Sequence, residues 1–208
     1  MGQITVPVVT MLLVAACQAG PQAGSRATNS DPTTDNTGLS TVPGCAADES
    51  ATLANGLRIG YLGSDPDDPQ RCLLQWSDRS HPLYFGFWSS DPKTSMSEEA
   101  RAAFRVVLTG PVGTEASFSE QRSLLWNQVT ITHVANSVVD LAGQLRPALE
   151  LRVVRYDALG RPEVRAETRY MIDRQTGVLL RSESVTPMAD GKVTTTTSWQ
   201  VGKLDLAG

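Results

Sequence analysis

Apolar positions fall along this chain in three regimes. A near-continuous apolar run, Val6 to Ala16, lies close to the N-terminus. From Cys17 to Pro43 large apolar residues almost vanish, Leu39 and Val42 being the exceptions. From Cys45 onward the pattern alternates with the period of β-strands and is interrupted by one clear helical stretch.

Within the third regime, Ala46 to Ala54 predicts a short helix, with Asp48 and Glu49 in its first turn and Asn55-Gly56 as its stop. Leu57–Leu62 alternates as a strand, and Ser64–Pro69 is a turn cluster carrying three aspartates. Those carboxylates lack the spacing and the bidentate glutamate of an EF-hand, so a solvated loop is expected rather than a calcium site. Cys72–Trp76 reads as a strand, His81-Pro82 as a break, and Leu83–Trp88 as a further strand. Strand alternation would put Phe85 and Phe87 on one face and Tyr84 and Trp88 on the other, flanking Gly86. One pair would enter the core. The other would either be buried too or leave a notch over Gly86 where an apolar ligand or a partner could lie.

Ser95–Phe104 predicts a helix capped by Ser95 or Ser97, with Glu98 and Glu99 in its first turn and Ala100, Ala103 and Phe104 as its apolar stripe. It should run through Val106–Leu108 and stop at Gly110-Pro111. Leu124–Val134 reads as a long strand with Val129, Ile131 and His133 on one face. His133 there is expected to be a core histidine with satisfied nitrogens rather than a general base.

The clearest pattern is C-terminal. Leu149–Tyr156, Glu163–Ile172, Val178–Val185 and Val193–Val201 are separated by short turns bearing Gly160, Gly177 and Gly191, which predicts a four-strand antiparallel meander. Ala166, Tyr170 and Ile172 share an apolar face, while Arg165, Glu167, Arg169, Arg181 and Glu183 form a charged one. Carboxylates separated by arginines on an exposed face suggest ion pairs rather than an acid–base pair, which needs burial to split its pKa values. The expected fold class is therefore α+β, mostly β. It comprises a curved antiparallel sheet ending in the four-strand meander, with one or two short helices on one face, over residues 44–208.

Composition narrows the function. The 208 residues carry 18 Lys and Arg against 22 Asp and Glu, a net charge of −4. A protein that neutralises phosphates needs the opposite balance, so nucleic acid is not an expected partner. No P-loop, dinucleotide fingerprint, nucleophile elbow or HExxH motif is present, and neither an enzyme nor a cofactor is expected. Two cysteines and two distant histidines give no recognisable zinc spacing.

The run Leu13-Val14-Ala15-Ala16-Cys17 resembles the lipobox of bacterial lipoproteins. That resemblance implies a signal peptide over residues 1–16, acylation of Cys17, and a membrane partner reached through the acyl chains. The run itself is too short to span a bilayer, which takes about 20 residues. Residues 17–43 would form a linker whose composition cannot offset its ordering entropy, spanning on average about 28 Å. With Cys17 acylated, an even pair remains, and Cys45–Cys72 is the expected disulfide of an exported chain. Gln18 follows Cys17 where an inner-membrane retention aspartate would stand, which points to the outer membrane, facing the periplasm. Tyr170–Arg181, a strand–turn–strand, resembles the LolA/LolB-like periplasmic proteins, a group that includes an RseB-type regulator. It implies a curved sheet closed around an apolar cavity. Two functions follow as expectations. One is a non-enzymatic envelope lipoprotein binding a lipid or other apolar ligand at Tyr84, Phe85, Phe87, Trp88 and Tyr170. The other is a protein-interaction or assembly lipoprotein, with a filled core and an exposed aromatic or edge-strand patch.

Overall fold

The computed structural model describes residues 38–39, 41–89, 95–122, 125–157, 165–188 and 192–206. Cys17, the predicted signal peptide and most of the predicted linker lie outside them.

Among the described residues, ten strands form one open antiparallel sheet. In chain order they are β1 (Ala47–Leu53), β2 (Arg58–Asp65), β3 (Asp68–Trp76), β4 (Arg79–Tyr84), β5 (Glu115–Arg122), β6 (Leu125–Leu141), β7 (Gln144–Asp157), β8 (Arg165–Asp173), β9 (Leu179–Pro187) and β10 (Val193–Asp205). Their spatial order is β4-β3-β2-β1-β10-β9-β8-β7-β6-β5. The predicted meander is β7 to β10. It joins the N-terminal hairpins through β10, whose first part pairs with β9 and whose end pairs with β1, Ala51 facing Leu204. A single helix among the described residues, α1 (Glu98–Thr109), connects the edge strand β4 to the opposite edge β5. The Ser97 side chain caps it by accepting from the Ala100 amide, and Ala100, Ala103, Phe104, Val107 and Leu108 form its buried face.

Alternating strands bury two apolar clusters. The first lies under α1 and takes Phe118 of β5, Val129 and Ile131 of β6, Leu149, Leu151 and Val153 of β7, and Ile172 of β8. The second lies on β1, β2 and β3 and is completed by Leu141, Ala148, Val178, Leu180 and Val201. Trp199 packs against both. Leu149 and Ala148 thus serve different clusters from adjacent positions, and β7 is buried on both faces at that end.

Four sequence expectations are corrected. Ala46–Ala54 is strand β1, not a helix: Ala51 and Leu53 alternate into the second cluster, and pairing with β2 and β10 outweighs the helical preference of the alanines. His81-Pro82 does not break the chain, because β4 is an edge strand and tolerates a residue without an amide proton. Ser64–Pro69 is a turn as expected, the tight β2–β3 hairpin, but two of its carboxylates are not simply solvated: Asp65 accepts from Arg71 Nε at 2.9 Å and Asp68 from Arg101 Nη1 at 2.9 Å. The folded domain also begins before residue 44. Leu39 is buried in the first cluster and donates its amide to Leu108 O at 2.9 Å. Strand β5 was missed altogether.

Candidate functional site

The aromatic set named from the sequence comes together, but not as a strand. β4 ends at Tyr84, and Phe85 (φ 54°) and Gly86 (φ 79°) then take left-handed conformations. A tight turn follows, closed by Tyr84 and Trp88: the Tyr84 amide donates to Trp88 O at 2.8 Å and the Trp88 amide to Tyr84 O at 2.9 Å. Glycine accepts such a φ without strain; for Phe85 the cost is offset by burial. The turn removes the strand alternation on which a notch over Gly86 depends. Tyr84, Phe85, Phe87 and Trp88 are all buried, and so is Gly86.

These rings pack on one another around Phe104 of α1. Phe104 lies 5.4 Å from Phe85, 5.7 Å from Phe87, 4.8 Å from Trp88 and 5.9 Å from Phe118, centroid to centroid. Tyr170 is half-buried at the margin, 5.3 Å from Phe87. The spacings and tilts are those of edge-to-face aromatic packing. Polar contacts pin the cluster at two points. Tyr84 Oη accepts the Met96 amide at 3.1 Å, and the Arg101 guanidinium lies 4.9 Å from its ring centre. The Arg155 guanidinium lies 4.3 Å from the Trp88 ring and pairs through Nε with Glu120 at 3.6 Å. This places a cation–π contact and an ion pair at the rim of the apolar cluster.

The remaining sequence candidates have structural partners. Cys45 and Cys72 form the expected disulfide, with sulfurs 2.08 Å apart. His133 is fully buried, Nδ1 2.9 Å from Gly110 O and Nε2 3.0 Å from Asn136 Oδ1, as expected for a core histidine. His81 stacks flat on Trp76 with 3.5 Å between ring centres. On the charged face, Arg152 Nε lies 3.2 Å and Arg169 Nε 3.5 Å from Glu167, while Arg181 pairs with Glu183. The carboxylates are thus divided among arginines, as the spacing suggested.

Two features had no clear sequence signal. Arg146 and Asp173 form a buried bidentate pair at 2.6 and 3.0 Å, and Asp173 Oδ1 also accepts the amides of Gln175 and Thr176. The Asp173–Gly177 turn is thereby tied to β7. Close to this pair, Glu49 Oε2 and Tyr61 Oη are buried with no hydrogen-bond partner among the described residues. Desolvation, reinforced by Asp173 and partly opposed by Arg146, raises the Glu49 pKa from its ordinary value, and desolvation and Glu49 raise that of Tyr61. An open cleft of about 510 Å³ borders these strands, lined among others by Ser50, Arg58, Gly60, Leu62 and Gln75.

No family model matches this chain, and no curated protein matches it. A solved structure with some likeness is that of the hypothetical lipoprotein YmcC from Escherichia coli (K12). Identity is 12%, the alignment covers 82% of this chain and 93% of that one, and the TM-score is 0.43. At that level the likeness carries no argument about this chain.

Proposed function

We propose that this chain is a lipid-anchored, non-catalytic protein of the bacterial cell envelope whose globular domain holds a protein partner. In this reading Cys17 is acylated, the anchor sits in the outer membrane and the domain faces the periplasm. The apolar run ending at Cys17 and the Cys45–Cys72 pair support export to an oxidising compartment. The observation that carries the choice of partner over apolar ligand is the ring-to-ring packing of Phe85, Phe87 and Trp88 around Phe104, with Tyr84 buried beside them. Side chains that fill their own cluster have no face left for an acyl chain.

The sheet supplies the docking element. Its two edges differ. β4 carries Pro82, which lacks an amide proton and blunts an edge. β5 pairs with β6 in an unbroken register from Glu115–Thr132 to Arg122–Leu125 and contains neither Pro nor Lys. An edge with an unbroken register and no proline suits addition of a partner strand, with Glu115, Glu120 and Arg122 selecting for charge. The test is a photo-crosslinking residue in place of Ser119, against one in place of Thr195, in the full chain in envelopes. Discrete protein adducts specific to position 119 are expected. A lipid beyond the protein's own acyl groups, retained in native mass spectrometry and lost on denaturation, would overturn the reading in favour of a carrier.

A further inference from the structure

The β6–β7 hairpin exposes two large aliphatic side chains beside one carboxylate, Asp140, on a face that packs on no other described element. Its tip is a two-residue turn with Ala142 at φ 53° and Gly143 at φ 90°, both left-handed as a type I′ turn requires. The β7–β8 register ends at Ala148–Asp173, so residues 144–147 project about 13 Å past the end of β8. On one face of this arm Val139, Leu141 and Ala148 pack into the second cluster, and Arg146 is buried against Asp173. On the other face, Val138 stands opposite Pro147 and Asp140 opposite Leu145. Val138 and Leu145 are thus diagonal neighbours, 65% and 68% exposed. They are the two most exposed large hydrophobic side chains among the described residues, and they stand side by side.

The N-terminal segment points to what they meet. Pro147 O on this hairpin accepts the Arg174 amide at 2.9 Å, and Arg174 Nη2 donates to Gly38 O at 2.9 Å. The stretch leading back to Cys17 therefore leaves the domain beside the hairpin. It holds about 20 residues. Resting on the lipid-anchor reading above, we infer that Val138 and Leu145 lie in the surface of the membrane that holds Cys17 and set the orientation of the domain on it.

Size and charge favour lipid over protein. Two aliphatic side chains fall far short of the roughly 800 Å² per partner that a stable protein interface buries. They suffice to bias a domain that its anchor already holds at high local concentration. The tip carries no free cation, Arg146 being committed to Asp173, and the exposed carboxylate of Asp140 opposite Leu145 disfavours anionic headgroups, so the contact is a shallow one at the interface of a zwitterionic lipid surface.

The test uses the full chain, purified from a diderm bacterial host with its anchor and reconstituted into phosphatidylcholine vesicles. A nitrobenzoxadiazole fluorophore is attached at Gln144→Cys or at Thr194→Cys, the latter at the opposite end of the sheet. The expected result is quenching by spin-labelled lipid at position 144 and not at 194. That quenching should be lost in V138S/L145S, while flotation with vesicles is unchanged. Flotation with equal signals at 144 and 194, or quenching that survives the double substitution, would overturn this inference and leave the anchor intact. A wild-type chain that does not float would remove the anchor and this inference with it.

Discussion

Phe104→Ala is the perturbation most informative about the first cluster. Phe104 is fully buried and touches Phe85, Phe87, Trp88 and Phe118, all at centroid distances below 6 Å. Truncating a buried phenylalanine costs about 3–5 kcal/mol, the transfer term plus the cavity left behind. Four lost ring contacts, each worth about 0.5–1.5 kcal/mol beyond area, push the value towards the upper end. In a domain of this size about 4 kcal/mol lowers the melting temperature by about 12 °C. Urea unfolding followed by tryptophan fluorescence is the assay, with Phe104→Leu as a milder partner that keeps most of the volume. Should Phe104→Ala cost less than about 1 kcal/mol with an unchanged m-value, the rings surround empty space rather than one another. The argument against an apolar ligand would then fail with it.

Three further outcomes follow from the same structure. Replacing Cys45 and Cys72 by serine opens a loop with a sequence separation of 27 and should cost about 3–4 kcal/mol in urea titrations. Arg146→Met leaves the Asp173 carboxylate buried without its cation and should cost about 3–5 kcal/mol, read by thermal unfolding. Glu49→Gln works the other way. The folded-state pKa of Glu49 is raised, so its contribution is fully present below the unfolded value of 4.5 and is lost as pH rises through the folded value. The glutamine variant should therefore gain stability over wild type at pH 7 relative to pH 4 in paired denaturation curves. An advantage that shrinks with rising pH contradicts the assignment.

Much of this fold could be read from alternation, and the misreadings have physical causes. The meander was legible because each of its strands carries one continuous register over most of its length, with charged residues opposite apolar ones and Gly-bearing turns between. β1 was misread because Ala46, Ala47, Glu49 and Ala51 favour helix locally, and nothing in the segment announces that β2 and β10 will pair with it on both sides. β5 was missed although Ala116 and Phe118 alternate with Glu115, Ser117 and Ser119; the polar residues dominate its composition. The aromatic turn deceived in another way. Gly86 in a run of aromatics looked like a gap in a strand, whereas its positive φ makes it the pivot of a turn that folds the rings inward. The composition around Leu39 is that of a linker, yet this one leucine fastens the chain to α1. Glu49 and Tyr61 face each other across the β1–β2 hairpin, and Arg146 meets Asp173 across β7 and β8; both pairings were hidden, the first because β1 reads as a helix and the second because β7 extends back to Gln144.

The most direct test of a lipid-anchored, disulfide-closed domain with a self-filled core is the intact mass of the full chain extracted from bacterial membranes, native and then denatured. The account predicts an N-terminus at Cys17 bearing acyl groups, two hydrogens fewer than the reduced chain, and the same mass before and after denaturation. An unprocessed chain beginning at Met1 with free thiols, or an apolar adduct released on unfolding, would contradict it.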